Sequence, residues 1–312
     1  MSEAYERFKA LHEGPGAFVM PNPWDGASAV LLKRAGFPAL ASTSLGIAFA
    51  FGLPDGAAAV SRAEAIDNAA MIARLTGLPV NGDLEDGFGP LPEDCAETVE
   101  AAVAAGLAGL GIEDTTADPA DPIHEFDEAV RRMRAAARAA KGRILLTGRT
   151  DNFLHGRPDL DDTIRRLTAF AECGADVLYA PGLPDMASIE AVVRAVAPKP
   201  VNVVFGPRSG PVPLDVLSAA GVKRVSLGGA LYRDETLVEV DAMIVFVRVD
   251  ATQHHGRFFL NAELRMERFL GQPASHGQVA GLQLQASLVK LFTAQEAVAL
   301  DRVIHGSNGR TV

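Results

Sequence analysis

Apolar positions along this chain fall into short runs, and each run gives way to a stretch where apolar residues recur with helical spacing. The runs lie at 17–21, 39–42, 78–84, 109–113, 143–149, 175–180, 200–205 and 224–227. The amphipathic stretches between them cover 27–35, 62–76, 94–105, 125–140, 161–173, 186–196 and 213–219. A short apolar run reads as a strand buried on both faces, and a 3.6-residue period reads as a helix with one face on a core. Several helical stretches run into a glycine just before the next strand: Gly36, Gly77, Gly106, Gly142, Gly174 and Gly221. A left-handed residue often ends a helix, and a side chain there is strained. Strands alternating strictly with helices imply a parallel sheet, and eight such units predict a closed (β/α)8 TIM barrel. A doubly wound open sheet is the alternative, but no strand-linked GxGxxG supports a dinucleotide version of it.

Past Gly229 the alternation stops. Residues 231–249 are apolar on more than one face, 261–270 and 294–304 are again amphipathic, and 271–285 is rich in Gly and Gln. The expectation is a catalytic barrel over 1–240 and a helical extension over 241–312. A helix too apolar for solvent needs a cover, so the extension packs on the barrel or on a neighbouring subunit.

Polar residues gather at one end of the strands. Reading each to its C-terminal end gives Asn22 and Asp25, Ser42-Thr43-Ser44, Asp83 and Glu85, Glu113 and Asp114, Arg149 and Asp151, Tyr179, Asn202, and Gly228-Gly229. Barrels of this kind carry their active sites at that mouth, so the asymmetry predicts an enzyme. The densest tract is Asn81-Gly82-Asp83-Leu84-Glu85-Asp86-Gly87-Phe88-Gly89. Strand alternation would put Asp83 and Glu85 on one side. Paired carboxylates repel, and at least one pKa rises unless a cation intervenes. A hard divalent ion, Mg²⁺ or alternatively Mn²⁺, suits such a pair; a solvated acidic turn explains the tract as well. Asp25 reads as a helix cap, Trp24 and Tyr179 as packing at the mouth, and His155 as a loop residue.

The bulk properties narrow the partners. A formal charge of −10 makes a nucleic-acid surface unfavourable, and an anionic substrate would need a local cation. Cys95 and Cys173 have no CxxC partner and read as reduced structural thiols, as in a cytoplasmic protein. Residues 1–12 show no apolar signal core, and no apolar run approaches the ~20 residues of a membrane span.

Taken together, the motifs resemble those of the isocitrate lyase/phosphoenolpyruvate mutase superfamily, in its phosphonomutase and 2-methylisocitrate lyase-like branch, over residues 12–240. The resemblance rests on Asn22-Pro23-Trp24-Asp25, on Ser42-Thr43-Ser44-Leu45 leading to Gly52-Leu53-Pro54-Asp55, and on the acidic tract. Gly111-Ile112-Glu113-Asp114 and Gly148-Arg149-Thr150-Asp151 continue it. It implies a (β/α)8 barrel, with the eighth helix exchanged between subunits of a homotetramer or dimer. It implies Mg²⁺ near Asp83, Glu85 and Glu113, the last largely through water, with Asp55 in the loop after the second strand. It assigns Thr43, Ser44, Leu45, Arg149 and Asn202 to an anionic substrate, a 2-oxo acid whose enolate forms in the reaction.

One departure matters. Related C–C lyases carry a Lys-Lys-Cys-Gly-His loop after the position of Glu113, with the Cys as acid. This chain has Asp114-Thr115-Thr116-Ala117-Asp118-Pro119-Ala120-Asp121-Pro122 there, and Tyr179 where a mutase has a His. The resemblance therefore implies a lyase, decarboxylase or hydrolase acting on an oxaloacetate- or phosphonopyruvate-like substrate. A P–C bond phosphonomutase and a non-catalytic barrel that binds a 2-oxo acid are the alternatives.

Overall fold

Eight strands form one parallel sheet: β1 (Phe18–Met20), β2 (Leu40–Ala41), β3 (Val80–Asp83), β4 (Gly109–Glu113), β5 (Leu145–Arg149), β6 (Val177–Tyr179), β7 (Val201–Val204) and β8 (Arg224–Ser226). The computed structural model describes residues 2–56, 59–116, 118–205, 212–232, 239–240, 243–254 and 257–268. Strand neighbours run β1-β8-β7-β6-β5-β4-β3-β2. The Ala41 N–H donates to the Pro21 carbonyl at 3.0 Å, which ties the second strand to the end of the first. The result is a nearly closed (β/α)8 barrel, and each strand lies inside its expected run.

Nine helices are described: α1 (Glu3–Glu13), α2 (Gly26–Arg34), α3 (Ser44–Ala50), α4 (Arg62–Thr76), α5 (Pro92–Ala104), α6 (Phe126–Ala140), α7 (Leu160–Cys173), α8 (Met186–Val196) and α9 (Leu214–Ala219). The six glycines expected to stop helices all have positive φ, and Gly77 and Gly174 are the left-handed caps of α4 and α7. Asp25 caps α2 through the Ser28 N–H, as the sequence suggested. The helical pattern missed α1 and α3. α3 spans only 7 residues, and α1 is rich in charged residues.

α1 nonetheless does a defined job. Its Tyr5 and Phe8 are buried against Ala39, Ala108 and Leu145, at or just before the starts of three strands. A Cβ on Gly109, the first residue of β4, would stand 2.6 Å from the Phe8 ring, so glycine is required there for the helix to seat. Burying an aromatic ring of this size stabilises by about 1.5–3 kcal/mol. With that end plugged, chemistry is left to the other.

The C-terminal expectation needs correction. The chain divides into two compact units at 236/237. In the second unit, β9 (Glu239–Val240), β10 (Met243–His254) and β11 (Arg257–Arg268) form an antiparallel sheet instead of the helices expected over 231–249 and 261–270. The ladder runs from Met243↔Arg268 to His254↔Arg257. Ile244-Val245-Phe246-Val247 and Phe258-Phe259 are β-branched or aromatic, a preference that outweighs the helical spacing read from the apolar positions. The stretches 271–285 and 294–304 lie outside the described residues. Among the described residues no helix is long and apolar enough to cross a membrane.

Candidate active site

Adjacent strands supply the centre of the mouth. Glu113 ends β4, Arg149 ends β5, and the two are register partners. Arg149 donates from Nε and Nη2 to the two carboxylate oxygens of Asp151, both at 2.6 Å. Its remaining terminal nitrogen, Nη1, lies 2.9 Å from Glu113 Oε2 and 3.5 Å from Asp83 Oδ1. Carboxylates from the third and fourth strands therefore meet at the fifth-strand guanidinium. A bidentate pair fixes the plane of the guanidinium as well as its position.

Asp151 is itself held. Its N–H donates to Asp114 Oδ1 at 3.0 Å, and Asp114 Oδ2 accepts from Thr150 Oγ1 at 2.7 Å and from Arg166 Nη1 at 3.1 Å. Arg166 Nε reaches Asp162 at 2.7 Å. Asp114 is 2% exposed, and a buried ion pair is tolerable only when its hydrogen bonds are this complete. Sequence reasoning missed Arg166 and Asp162, which sit on α7 far along the chain. Asp114 is an anchor for the clamp, while Thr115 Oγ1 donates to Glu113 Oε1 at 2.8 Å. Burial pushes the Glu113 carboxyl well above the ordinary range, with Arg149 opposing.

Across the mouth the pattern differs. The Asp83 N–H donates to Ser42 Oγ at 2.8 Å, and Asp83 Oδ2 accepts the Ser44 N–H at 3.0 Å. Thr43 caps α3 through the Gly46 N–H, and Leu45 is buried. Gly46 has no room for a Cβ, which would lie 2.8 Å from Trp24, so the segment packs directly on that ring. Trp24 in turn meets Tyr232 edge-on at 5.0 Å. Asn22 Oδ1 accepts the N–H groups of Leu227 and Gly228, joining the first and last strand ends.

Glu85 departs from expectation. β3 ends at Asp83, and Glu85 has φ 46°, so a left-handed turn rather than strand alternation carries its side chain. Burial raises its pKa to about 7, helped by the charges of Asp83, Asp86 and Asp55. Asp86 proves to be mainly a turn residue: its Oδ1 accepts the Phe88 N–H at 2.8 Å. Asp55 sits exposed in a turn.

Asn202 is tied into the interior hydrogen bonding of the barrel. It is 2% exposed, its Nδ2 donates to Ser226 Oγ at 3.0 Å, and its Oδ1 accepts from Arg224 Nε at 2.9 Å. Arg224, also missed in the sequence, is 2% exposed inside the barrel and donates to Thr147 Oγ1 at 2.9 Å, with His12 Nε2 3.3 Å from its Nη1. Burial lowers Arg224 to about 9, and burial with the Arg224 charge lowers His12 to about 3.

Among the described residues no group of three His, Cys, Asp or Glu side chains is disposed to hold a metal ion alone. A hard dication does not require one, because Mg²⁺ takes one or two carboxylates and completes its shell with water and substrate oxygens. The crowding of Asp83, Asp86 and Asp55 around Glu85 is the electrostatic situation that a dication relieves. The donor set fits such an open site.

The sequence profile of the phosphoenolpyruvate phosphomutase family matches residues 8–248. A solved structure, a candidate lyase/mutase from Burkholderia cenocepacia J2315, is 52% identical with a TM-score of 0.71, covering 74% of this chain and 82% of its own. A structure of oxaloacetate acetylhydrolase in complex with the product oxalate is 28% identical with a TM-score of 0.67, over 74% of this chain and 82% of its own. The oxaloacetate decarboxylase of Bradyrhizobium diazoefficiens is 30% identical over 204 residues, 61% of this chain and 67% of the relative. The chain belongs to the phosphoenolpyruvate phosphomutase family, within the isocitrate lyase/phosphoenolpyruvate mutase superfamily, and is an enzyme of that superfamily's lyase and phosphonomutase kind.

Proposed function

We propose that this enzyme is a Mg²⁺-dependent lyase, decarboxylase or hydrolase that acts on an oxaloacetate- or phosphonopyruvate-like 2-oxo acid through an enolate. The meeting of Asp83 and Glu113 at one guanidinium carries the reading, because it sets anion-binding and cation-binding groups side by side. Similarity to an acetylhydrolase and a decarboxylase of oxaloacetate supports the substrate class.

The residues that would hold the ion are Asp83, Glu85 and Glu113. Both Glu113 oxygens already have partners, so Glu113 acts through water. When bound, the ion supplies Lewis-acid polarisation of the 2-oxo and carboxylate oxygens. Arg149, its plane locked by Asp151, offers Nη1 to the substrate carboxylate. The Ser44 and Leu45 amides and the Thr43 hydroxyl border the anion, and Asp55 approaches from the loop above. Donors preset in this way stabilise the developing enolate charge without reorganising, worth about 3 kcal/mol for a well-placed one. The connection after β4 contributes no Lys, Cys or His before His124, so it does not supply the usual acid.

The test is to incubate oxaloacetate, phosphonopyruvate and alkylmalates with the enzyme and follow both pyruvate and oxalate, with and without EDTA. Release that EDTA abolishes is expected from at least one substrate; release from none of them, or release indifferent to EDTA, removes the reading. The family's name favours a second reading, rearrangement at phosphorus, which a new ³¹P resonance from phosphonopyruvate without pyruvate release would reveal.

A further inference from the structure

Tyr179 ends β6, and it is the register neighbour of Arg149 on one side and of Asn202 on the other. Asn202 in turn pairs with Arg224 on β8. Register partners on parallel strands project to the same side of a sheet, so these four side chains form a row around the barrel wall. The Arg149 guanidinium carbon lies 5.4 Å from the centroid of the Tyr179 ring. The Tyr179 hydroxyl lies within interaction range of Ser226 Oγ, which accepts from Asn202 Nδ2, and Asn202 Oδ1 accepts from Arg224. Arg224 is fastened to Thr147 and faces His12 on the helix that plugs the opposite end.

Arg149 is therefore held in two directions. Asp151 fixes the plane and two of its nitrogens, while an aromatic face bounds it from the β6 side. A cation over an aromatic face is attracted to it, and the attraction is largest where water is excluded. A tyrosine free to swing would not hold that surface still, and the buried Ser226–Asn202–Arg224 chain stops it from swinging.

We propose that Tyr179, anchored through Ser226 to the Asn202–Arg224 pair, is a positioning residue that aims the Arg149 guanidinium at the anionic end of the substrate. This rests on the reading of Arg149 as the anion clamp and extends it to a residue outside the carboxylate cluster. It also gives Asn202 and Arg224 a role: they set the tyrosine rather than touch substrate.

The experiment measures oxalate binding by calorimetry in the presence of Mg²⁺, alongside Tm, for the wild-type protein and four variants. Tyr179→Leu removes the aromatic face and should weaken oxalate about tenfold. Tyr179→Phe and Ser226→Ala each release the anchor and should weaken it about threefold. Because both act on the one Tyr179–Ser226 contact, the Tyr179→Phe/Ser226→Ala double variant should lose no more than either single change. A purely structural role would lower Tm and leave oxalate affinity where it was. Wild-type affinity in Tyr179→Leu overturns the proposal alone, whereas a folded wild-type protein that ignores oxalate overturns the reading of the clamp as well. If Tyr179→Leu does not fold, the anchor variants decide: unchanged affinity in both, or fully additive losses, overturns the proposal.

Discussion

The two sides of the barrel mouth handle charge in opposite ways. On the β4–β5 side every carboxylate has a cation: Asp151 and Glu113 share Arg149, and Asp114 and Asp162 share Arg166. On the β2–β3 side Asp55, Asp83, Glu85 and Asp86 crowd together, with Arg149 reaching across to Asp83 at 3.5 Å and Arg132 lying 3.7 Å from Asp86. The first side is finished by folding. The second gathers carboxylates around Glu85, and the proposed dication with an anionic substrate would be the complement that completes it. A protein of net charge −10 concentrates its specificity for an anion in such a local arrangement.

The largest break in this contrast comes from the unfinished side. Asp83→Asn should lower kcat/KM about 10³-fold, since it removes a carboxylate charge from the proposed cation site and leaves the Ser44 N–H with an uncharged acceptor. Steady-state assays with saturating Mg²⁺ check it, and a loss under tenfold would show that Asp83 is peripheral.

Next is Asp151→Asn on the finished side. It leaves a half-buried guanidinium without its charged bidentate partner, so both activity and stability should suffer. A fall of about 10²-fold in kcat/KM and a Tm lower by about 5–10 °C are expected. Thermal melts alongside kinetics separate this from Asp83→Asn, which should leave Tm nearly unchanged.

A pH series sharpens the contrast without touching activity. The folded pKa of Glu85 is raised to about 7 from an ordinary 4.5. A carboxyl with a raised folded pKa contributes stability that is present below its unfolded pKa and is lost as pH rises through the folded one. Metal-free protein should therefore lose Tm between about pH 4.5 and 7, and Glu85→Gln should flatten that decline. Added Mg²⁺ should flatten it too, because an ion displaces the proton. An equal slope in wild type and Glu85→Gln would show that the crowding is not felt there.

The smallest expected effect is Thr115→Val. Glu113 loses one hydrogen bond at Oε1 and keeps Arg149 at Oε2, so KM should rise about threefold with kcat nearly constant.

Most of the barrel could be read from the chain because its signals are local. Each apolar run and each glycine stop declares itself within a few residues, and Gly77 and Gly174 took the backbone conformation that the pattern required. Asp83, Glu113 and Arg149 were legible because the strand ends of a barrel share one mouth. Arg166, Asp162 and Arg224 were not, because a charged residue in an amphipathic helix or at the start of a strand looks the same whether it faces water or a buried polar partner. Glu85 was assigned its direction by alternation, which held only to Asp83, where a turn begins. The C-terminal sheet was misread as helix because its apolar positions also fit a helical spacing, whereas Val245, Val247 and Val249, and Ala262, Leu264 and Met266, recur at the period of two that a strand requires.

The most direct measurement is Mn²⁺ binding followed by electron paramagnetic resonance of the free ion, with and without oxalate. The account predicts a single site per chain, tightened about tenfold or more by oxalate and lost in Asp83→Asn. Mn²⁺ that fails to bind at millimolar concentration, or binds with the same affinity in Asp83→Asn and regardless of oxalate, would contradict it.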